Sequence, residues 1–149
     1  MGLSELRRVL SLCSASTKLL SAVFSTMLAE AELRLGSVPE AITILEAGDR
    51  ESIDLFWRAG ILYVKGLALA AQDNREAEAC FRTSLDIARE QQAKSLELRA
   101  ATSLARLYQH QSRRPEARDL LAPVYDWFTE GFDTLDLKQA KALLHDLAS

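Results

Sequence analysis

The 149-residue sequence predicts an all-α fold, and its composition and its patterning both support that prediction. Leu and Ala, which are strong helix formers, together supply 48 residues, whereas Val and Ile supply only 10. Apolar residues recur along most of the chain at the spacing of one helix face. No segment alternates apolar and polar residues as a half-buried strand does.

Charge and hydropathy exclude several classes of protein. The 18 basic and 21 acidic residues give a net charge of -3, which offers no electrostatic footprint for nucleic acid. The sequence lacks the run of about 18 apolar residues that a membrane-spanning helix needs. Cys13 and Cys80 are too isolated for a disulfide framework or a metal site, as is usual in a reducing compartment. We therefore expect a cytoplasmic protein that binds no cofactor, metal, nucleic acid or membrane.

A leading helix and a longer second helix are predicted first. The leading helix lies within residues 1–16 and begins after Ser4, whose hydroxyl suits an N-cap. The second helix runs to Leu35 and is stopped by Gly36, since glycine readily adopts the left-handed conformation that ends helices. Its predicted inner stripe consists of Leu20, Phe24, Met27, Leu28 and Ala31.

The third and fourth helices follow after short turns. The third begins at Pro39, a residue suited to the first turn of a helix, and ends before Gly48. Ser52 is the predicted N-cap of the fourth, which ends near Asn74. The predicted inner positions of the fourth helix are Leu55, Ala59, Leu62 and Gly66.

The fifth and sixth helices have the most regular apolar stripes. Asn74 is the predicted N-cap of the fifth helix, and the sixth covers residues 94–111. The predicted inner stripe of the fifth is Ala77, Phe81, Leu85 and Ala88. That of the sixth is Leu98, Ala101, Leu104, Ala105 and Tyr108.

The last two helices are separated by a glycine. The seventh continues past Pro123 with a kink and ends at a C-cap formed by Gly131. The eighth covers residues 135–147, with Asp133 or Thr134 as its N-cap.

A short pattern recurs where three of these helices begin. Pro39-Glu40-Ala41, Arg75-Glu76-Ala77 and Pro115-Glu116-Ala117 place their alanines 36 and 40 positions apart. A large apolar residue follows each alanine after four positions, namely Leu45, Phe81 and Leu121. A small side chain here lets the preceding helix approach closely, and the bulky one fills the groove between the two helices. The pattern therefore predicts three equivalent helical hairpins.

This spacing resembles the tetratricopeptide repeat (TPR). The matching positions are Leu28, Ala29, Ala41 and Leu45 in the first unit and Leu104, Ala105, Tyr108, Ala117 and Leu121 in the third. The resemblance implies a single domain, residues 1–149, folded as an α-solenoid. Its parts would be a leading helix (1–16), three hairpins (17–50, 52–91 and 93–131) and a C-terminal capping helix (133–149).

The segment from Gln91 onward, QQAKSLELRAATSLARLYQHQSRRPEARDLL and beyond, is similar to the C-terminal TPR region of bacterial multidomain regulators. Those regulators combine it with predicted ATPase, adenylate/guanylate cyclase-type or LuxR-type modules. The resemblance implies a protein- or peptide-binding scaffold, as the regulatory tail or a free-standing relative of a signalling or transcription regulator. The alternative is a spacer that self-associates through an apolar edge around Leu6, Val9 and Phe24.

No catalytic constellation can be assembled from the sequence, so we do not expect an enzyme. The repeat's groove positions, carried over to this chain, are Thr26, Glu30, Arg34, Tyr63, Leu67, Arg99, Thr102, Arg106, Gln109 and His110. Arg99 and Arg106 lie seven positions apart on one helix face, which suits an acidic peptide or a carboxylate. They would also suit ion pairs with Glu90 or Glu97.

Two further sets of residues have two interpretations each, and a third set has one. The aromatic cluster is either a partner anchor or, as we prefer, a seal between the last hairpin and the final helix; its members are Tyr125, Trp127, Phe128 and Phe132. His110 and His145 lack a second ligand one turn away, so solvent exposure is preferred over metal binding. Arg113 and Arg114 are expected to be solvated charges in a turn.

Overall fold

The computed structural model describes residues 18–51, 55–73 and 75–149, together with residues 4, 5 and 8, and these residues form an all-α chain. None of the described residues lies in a strand, so the all-α part of the predicted fold class is confirmed. From residue 18 onward the helices are α1 (Lys18–Arg34), α2 (Val38–Glu51), α3 (Leu55–Ala70), α4 (Glu76–Glu90), α5 (Lys94–His110), α6 (Arg114–Asp126) and α7 (Leu135–Ala148). Most of the predicted leading helix, and the predicted N-caps Ser52 and Asn74, lie outside the described residues.

Two compact units divide the chain, Met1–Cys80 and Phe81–Ser149, and the boundary between them falls within α4. In the first unit α1, α2 and α3 contact one another pairwise. In the second unit α5, α6 and α7 do the same. Each unit therefore contains two consecutive helices joined by a short turn, with a third helix packed against both.

The turn between α1 and α2 is closed by two backbone hydrogen bonds. The N–H of Gly36 donates to the carbonyl of Leu33 at 3.0 Å, and the N–H of Ser37 donates to that of Glu32 at 2.9 Å. This pair of bonds is the Schellman motif, which places the residue after the helix in a left-handed conformation. The same pair of hydrogen bonds closes the turn after α4, where Gln92 and Ala93 are the N–H donors. It also closes the turn after α5, where Ser112 and Arg113 are the donors. The three left-handed residues have φ values of 81° (Gly36), 56° (Gln92) and 62° (Ser112).

Ser112 provides a test of this turn geometry. A left-handed conformation costs a residue with a Cβ about 1 kcal/mol, and glycine avoids that cost. We expect Ser112→Gly to raise the free energy of unfolding by about 0.5–1 kcal/mol, because the gain exceeds the extra backbone entropy that glycine loses on folding. Urea denaturation followed by circular dichroism measures the change.

Gly36→Ser is the matched reverse substitution. No atom lies within 4 Å of the position that a Cβ would take at Gly36, so its effect is conformational rather than steric. We expect this variant to lose a similar amount of stability. A Ser112→Gly variant less stable than the parent protein would contradict the left-handed conformation at that turn.

The predicted stripes of α4 and α5 are confirmed. Ala77, Phe81, Leu85 and Ala88 of α4 are all buried, and so are Leu98, Ala101, Leu104, Ala105 and Tyr108 of α5. A helix with one clear apolar stripe buries that stripe, because removing apolar area from water is the main favourable contribution to folding. In these two helices the spacing of the apolar residues alone identified the residues that are buried.

The three alanines of the repeated pattern, Ala41, Ala77 and Ala117, have no exposed surface. Ala41 donates its N–H to Ser37 at 3.1 Å, and Ala117 donates its N–H to Arg113 at 3.0 Å. Each acceptor is the last residue of a Schellman turn, so Ala41 and Ala117 occupy equivalent positions in α2 and α6. The turn before Ala77 contains a residue outside the described ranges.

The inner face of α1 differs from the predicted one. Met27 was placed on that face and is 47% exposed, while Phe24 and Ala31 are half-buried. Among residues 23–34 of α1, the buried ones are Ser25, Leu28, Ala29 and Glu32. Apolar residues cover more than one side of α1, so spacing did not single out the face that packs. The side chain of Leu20 lies outside the described residues.

Two predicted helix ends are also wrong. Helix α2 continues through Gly48 to Glu51, because a glycine in a helix interior costs only about 1 kcal/mol. Helix α6 keeps Pro123 in its interior and ends at Asp126, before the predicted cap. Proline has no N–H to donate to the carbonyl four residues before it, and its ring crowds that carbonyl, so it weakens the turn that precedes it.

Gly131, the predicted C-cap of the helix that contains Pro123, lies in the segment between α6 and α7. Gly131 has a φ of 76° and lies in the connection rather than at the end of α6. Thr134 occupies the N-cap position of α7 without a capping bond from its side chain. The hydroxyl of Thr134 donates to the carbonyl of Gly131 at 2.8 Å and so closes the turn. The Thr134 side chain therefore does not cap the first N–H groups of α7.

Candidate functional site

Helix α5 is enclosed over most of its surface and exposes one side. Nine of its residues are buried, and the fully exposed ones are Ser95, Arg106 and His110. Arg99 is half-buried and falls on the same side, since spacings of 4, 7 and 11 residues return to one helix face. We call Ser95, Arg99, Arg106 and His110 the α5 strip. Two arginines and a histidine make it basic.

The α5 strip borders α7. The Nη2 of Arg106 donates a hydrogen bond of 3.3 Å to Oε1 of Gln139, which lies in α7. A guanidinium carries five N–H donors, so one bond of this kind leaves Arg106 able to bind an anion as well.

Glu97, one of the predicted ion-pair partners of the strip, is bound by two other residues. It lies in the first turn of α5 and is only 6% exposed. Its Oε1 accepts a hydrogen bond from Nε of Arg89 at 3.1 Å, and its Oε2 accepts one from Nζ of Lys94 at 2.8 Å. A buried carboxylate needs such partners, because leaving it unpaired would cost several kcal/mol. Glu97 therefore belongs to the structural core of the second unit.

Two predicted groove residues are buried and are left out of the candidate surface. Tyr63 is 7% exposed and Thr102 is 5% exposed. The hydroxyl of Thr102 donates to the carbonyl of Leu98 at 2.7 Å, back into its own helix. The resemblance to the repeat placed both residues at groove positions, but close packing buries their side chains.

The remaining predicted groove residues lie in both units. Arg34 of α1 is exposed, whereas Glu30 of α1, Leu67 of α3 and Gln109 of α5 are half-buried. Thr26 faces Gly60 of α3. The Cγ2 of Thr26 lies 3.9 Å from the position that a Cβ would take at Gly60. Arg99, Arg106 and His110 are thus the predicted groove residues whose basic side chains lie on one side of a single helix.

The turn between α5 and α6 holds a cluster that the sequence did not reveal. The guanidinium of Arg113 lies 4.0 Å from the centroid of the buried Tyr108 ring, and that of Arg82 lies 5.6 Å from it. Arg113 also binds Glu116 through Nε at 2.9 Å and Nη2 at 2.6 Å. This bidentate hydrogen bond and the charge of Arg113 lower the pKa of the Glu116 carboxyl. The expectation of a solvated Arg113 is wrong.

Arg114 is also engaged in the fold. Its Nη2 donates to the backbone carbonyl of Asp146 in the last turn of α7. A positive charge at a helix C-terminus stabilises the exposed carbonyl groups there. The ion pair between Arg113 and Glu116 could have been predicted from the sequence. The two residues lie three positions apart at the start of a helix, a spacing that favours a local ion pair.

The aromatic residues after α6 are only partly enclosed. Tyr125 packs on Phe132 with ring centroids 5.9 Å apart, and Trp127 meets Phe128 edge to face at 5.1 Å. Tyr125 and Phe128 are half-buried, but Trp127 is 57% exposed and Phe132 is 45% exposed. The preferred interpretation, a seal against the last helix, is therefore wrong for Trp127 and Phe132.

The cysteine and histidine side chains offer no assembled site in the described ranges. Cys80 is half-buried, and burial raises the pKa of its thiol, with Lys65 opposing the shift. His110 and His145 are exposed, as expected. No three His, Cys, Asp or Glu side chains are grouped as a metal site in residues 18–51, 55–73 and 75–149. Cys13 lies outside the described residues.

Comparison of the chain with protein-family models, curated proteins and solved structures found no match. Among the described helices, none combines the length and apolar character needed to cross a membrane. Function is therefore inferred from the geometry and charge of the exposed surface.

Proposed function

We propose that this chain is a non-catalytic, TPR-like scaffold that binds an acidic peptide segment along the α5 strip. The observation that carries the proposal is the basic side of α5, where Arg99, Arg106 and His110 share the one exposed face of an otherwise enclosed helix. The proposed setting, from the sequence resemblance, is a cytoplasmic bacterial signalling or transcription regulator.

Three repeated features support a TPR-like helical hairpin in each of the two units. The turns after α1 and α5 use the same hydrogen bonds, and Ala41 and Ala117 occupy equivalent buried positions in the helices that follow. The pairwise packing of α1, α2 and α3 is repeated by α5, α6 and α7. The resemblance to the repeat places the binding positions on the first helix of each hairpin. Helix α5 is the first helix of its hairpin.

The spacing of the two arginines indicates the form of the ligand. Seven residues of helix span about 10.5 Å along its axis. In a polyproline II peptide, side chains three residues apart point to the same side and lie about 9 Å apart. A peptide in that conformation with an acidic residue at every third position would place two carboxylates opposite Arg99 and Arg106. Guanidinium groups bind carboxylates through paired hydrogen bonds.

A labelled peptide with glutamate at every third position and proline between tests the proposal by fluorescence anisotropy. We expect the parent protein to bind it and Arg99→Ala/Arg106→Ala to bind it roughly fivefold to thirtyfold more weakly, about 1–2 kcal/mol for two exposed ion pairs. Thermal unfolding of the double variant is compared with that of Arg106→Ala alone, because Arg106 is exposed whereas Arg99 is half-buried.

Arg118→Ala/Lys141→Ala is the matched control, because it removes two exposed positive charges elsewhere in the second unit. We expect it to retain most of the affinity. A peptide with lysine in place of glutamate should not bind. Equal affinity of the strip variant and the control variant would remove the α5 strip as the binding surface.

The alternative of self-association has less support. Leu6 and Val9 lie outside the described residues, and Phe24 is half-buried. No described feature of these residues favours an interface between copies.

A further inference from the structure

We infer that the connection between α6 and α7 is a second docking surface, one that takes a basic amphipathic segment of another protein. We call residues 126–136 the α6–α7 corner. This inference does not depend on the α5 strip, because it rests on different residues and on the opposite charge.

Three large apolar side chains are exposed within nine residues of this corner: Trp127 (57%), Phe132 (45%) and Leu135 (69%). Elsewhere in the described part of the chain, the large apolar residues exposed to this degree are Met27 and Leu35 of the first unit. A local concentration of exposed apolar side chains marks interaction sites, and tryptophan is among the commonest anchors of protein interfaces.

The corner is held in place before any partner binds. The Nζ of Lys94 lies 5.2 Å from the centroid of the Trp127 ring, and Phe128 packs against the edge of that ring. Thr134 closes the turn through its backbone N–H and its hydroxyl, both of which donate to the carbonyl of Gly131. An ordered surface loses little entropy on binding, so the exposed rings are already arranged for a partner.

The charges around the corner identify the chemistry of the partner. Asp126, Glu130 and Asp133 are exposed and Asp136 is half-buried, and residues 126–136 contain no Lys, Arg or His. The nearby ammonium of Lys94 is paired with Glu97 at 2.8 Å. Carboxylates around an apolar centre favour lysine and arginine side chains and repel acidic ones. The complementary ligand is an amphipathic segment with leucine-like residues on one face and basic residues on the other.

The same charges argue against a second copy of the chain as the occupant. A two-fold interface places the same patch of both copies face to face. The four carboxylates of residues 126–136 would then meet four others with no basic residue of this segment between them. The negative surface of an anionic membrane would be repelled for the same reason.

The test uses two labelled helical peptides of equal length, one built from leucine and lysine and the other from leucine and glutamate. Binding is followed by fluorescence anisotropy and by the emission of Trp127 in a Trp57→Phe background, which leaves Trp127 as the remaining tryptophan. We expect the leucine–lysine peptide to bind and to shift the Trp127 emission. Trp127→Ser/Leu135→Ser should weaken binding about tenfold or more, as loss of an interface anchor does.

Met27→Ser/Leu35→Ser is the matched control, because it also removes two exposed apolar side chains, here from the first unit. Its affinity should change by less than about twofold, as for residues outside an interface. Glu130→Gln/Asp133→Asn should weaken binding and reduce its dependence on salt. Arg99→Ala/Arg106→Ala should bind the leucine–lysine peptide normally, which separates this inference from the proposed function.

Three results would overturn the inference. The first is equal affinity of the corner variant and the control variant for the leucine–lysine peptide. The second is equally tight binding of the leucine–glutamate peptide. The third is a dimer in sedimentation velocity that Trp127→Ser/Leu135→Ser abolishes, since the corner would then be an interface between copies. Thermal unfolding of each variant shows whether it retains the parent fold.

Discussion

Replacing Leu121 with alanine is expected to lower the free energy of unfolding by about 2–5 kcal/mol. Leu121 has no exposed surface and lies in α6, which contacts both α5 and α7. The substitution removes three buried carbon atoms and leaves a cavity that rigid neighbouring helices fill only in part. Denaturation in urea, followed by circular dichroism, gives the difference from the parent protein.

Leu135→Ala is the matched control for this experiment. Leu135 is 69% exposed, so the same chemical change should cost less than about 0.5 kcal/mol. If both variants lose the same small amount of stability, Leu121 does not lie in the core of the second unit.

Ala117→Leu is expected to destabilise the protein by about 1–3 kcal/mol through the opposite effect, overpacking. Ala117 has no exposed surface and lies one turn before Leu121. A larger side chain there would push α6 away from the helices that it contacts, or force neighbouring side chains out of their preferred rotamers.

Ala142→Leu is the control for added volume, because Ala142 of α7 is exposed and a larger side chain there extends into solvent. We expect this variant to be about as stable as the parent, within ±0.5 kcal/mol.

Ala77→Leu should behave like Ala117→Leu, since Ala77 is also fully buried. An Ala77→Leu variant that melts like the parent protein would show that the two alanines are not equivalent.

The sequence predicted best where apolar residues formed a single stripe. In α4 and α5 the predicted inner residues, among them Phe81 and Leu104, are buried. A single stripe leaves one way to bury the apolar area, so the hydrophobic effect decides the orientation of the helix. Turn geometry was also predictable at Gly36, because glycine adopts positive φ without cost.

Prediction failed where tertiary packing, rather than the local pattern, decides burial. Helix α1 has apolar residues on several sides, and the side that packs includes the polar Ser25 and Glu32 while Met27 remains exposed. Tyr63 and Thr102 were carried over from the groove positions of the repeat, and both are buried. The amount of space between two helices depends on residues distant in sequence, which a one-dimensional pattern does not contain.

Charged side chains were the hardest to place. Arg106 and Arg113 look alike in the sequence, yet Arg106 is exposed on α5 and Arg113 lies over the Tyr108 ring with Glu116 as its partner. Long flexible side chains choose among several partners within reach, and small differences in free energy decide the choice.

In α5 the residues that the fold requires are different from those that face solvent. Its buried residues are constrained by their neighbours, whereas Ser95, Arg106 and His110 face solvent and tolerate replacement. Under the proposed function, exchanging the charge of these few positions would alter the preferred ligand at little cost in stability. Descendants of one ancestral gene could therefore acquire different specificities while keeping an identical helical framework.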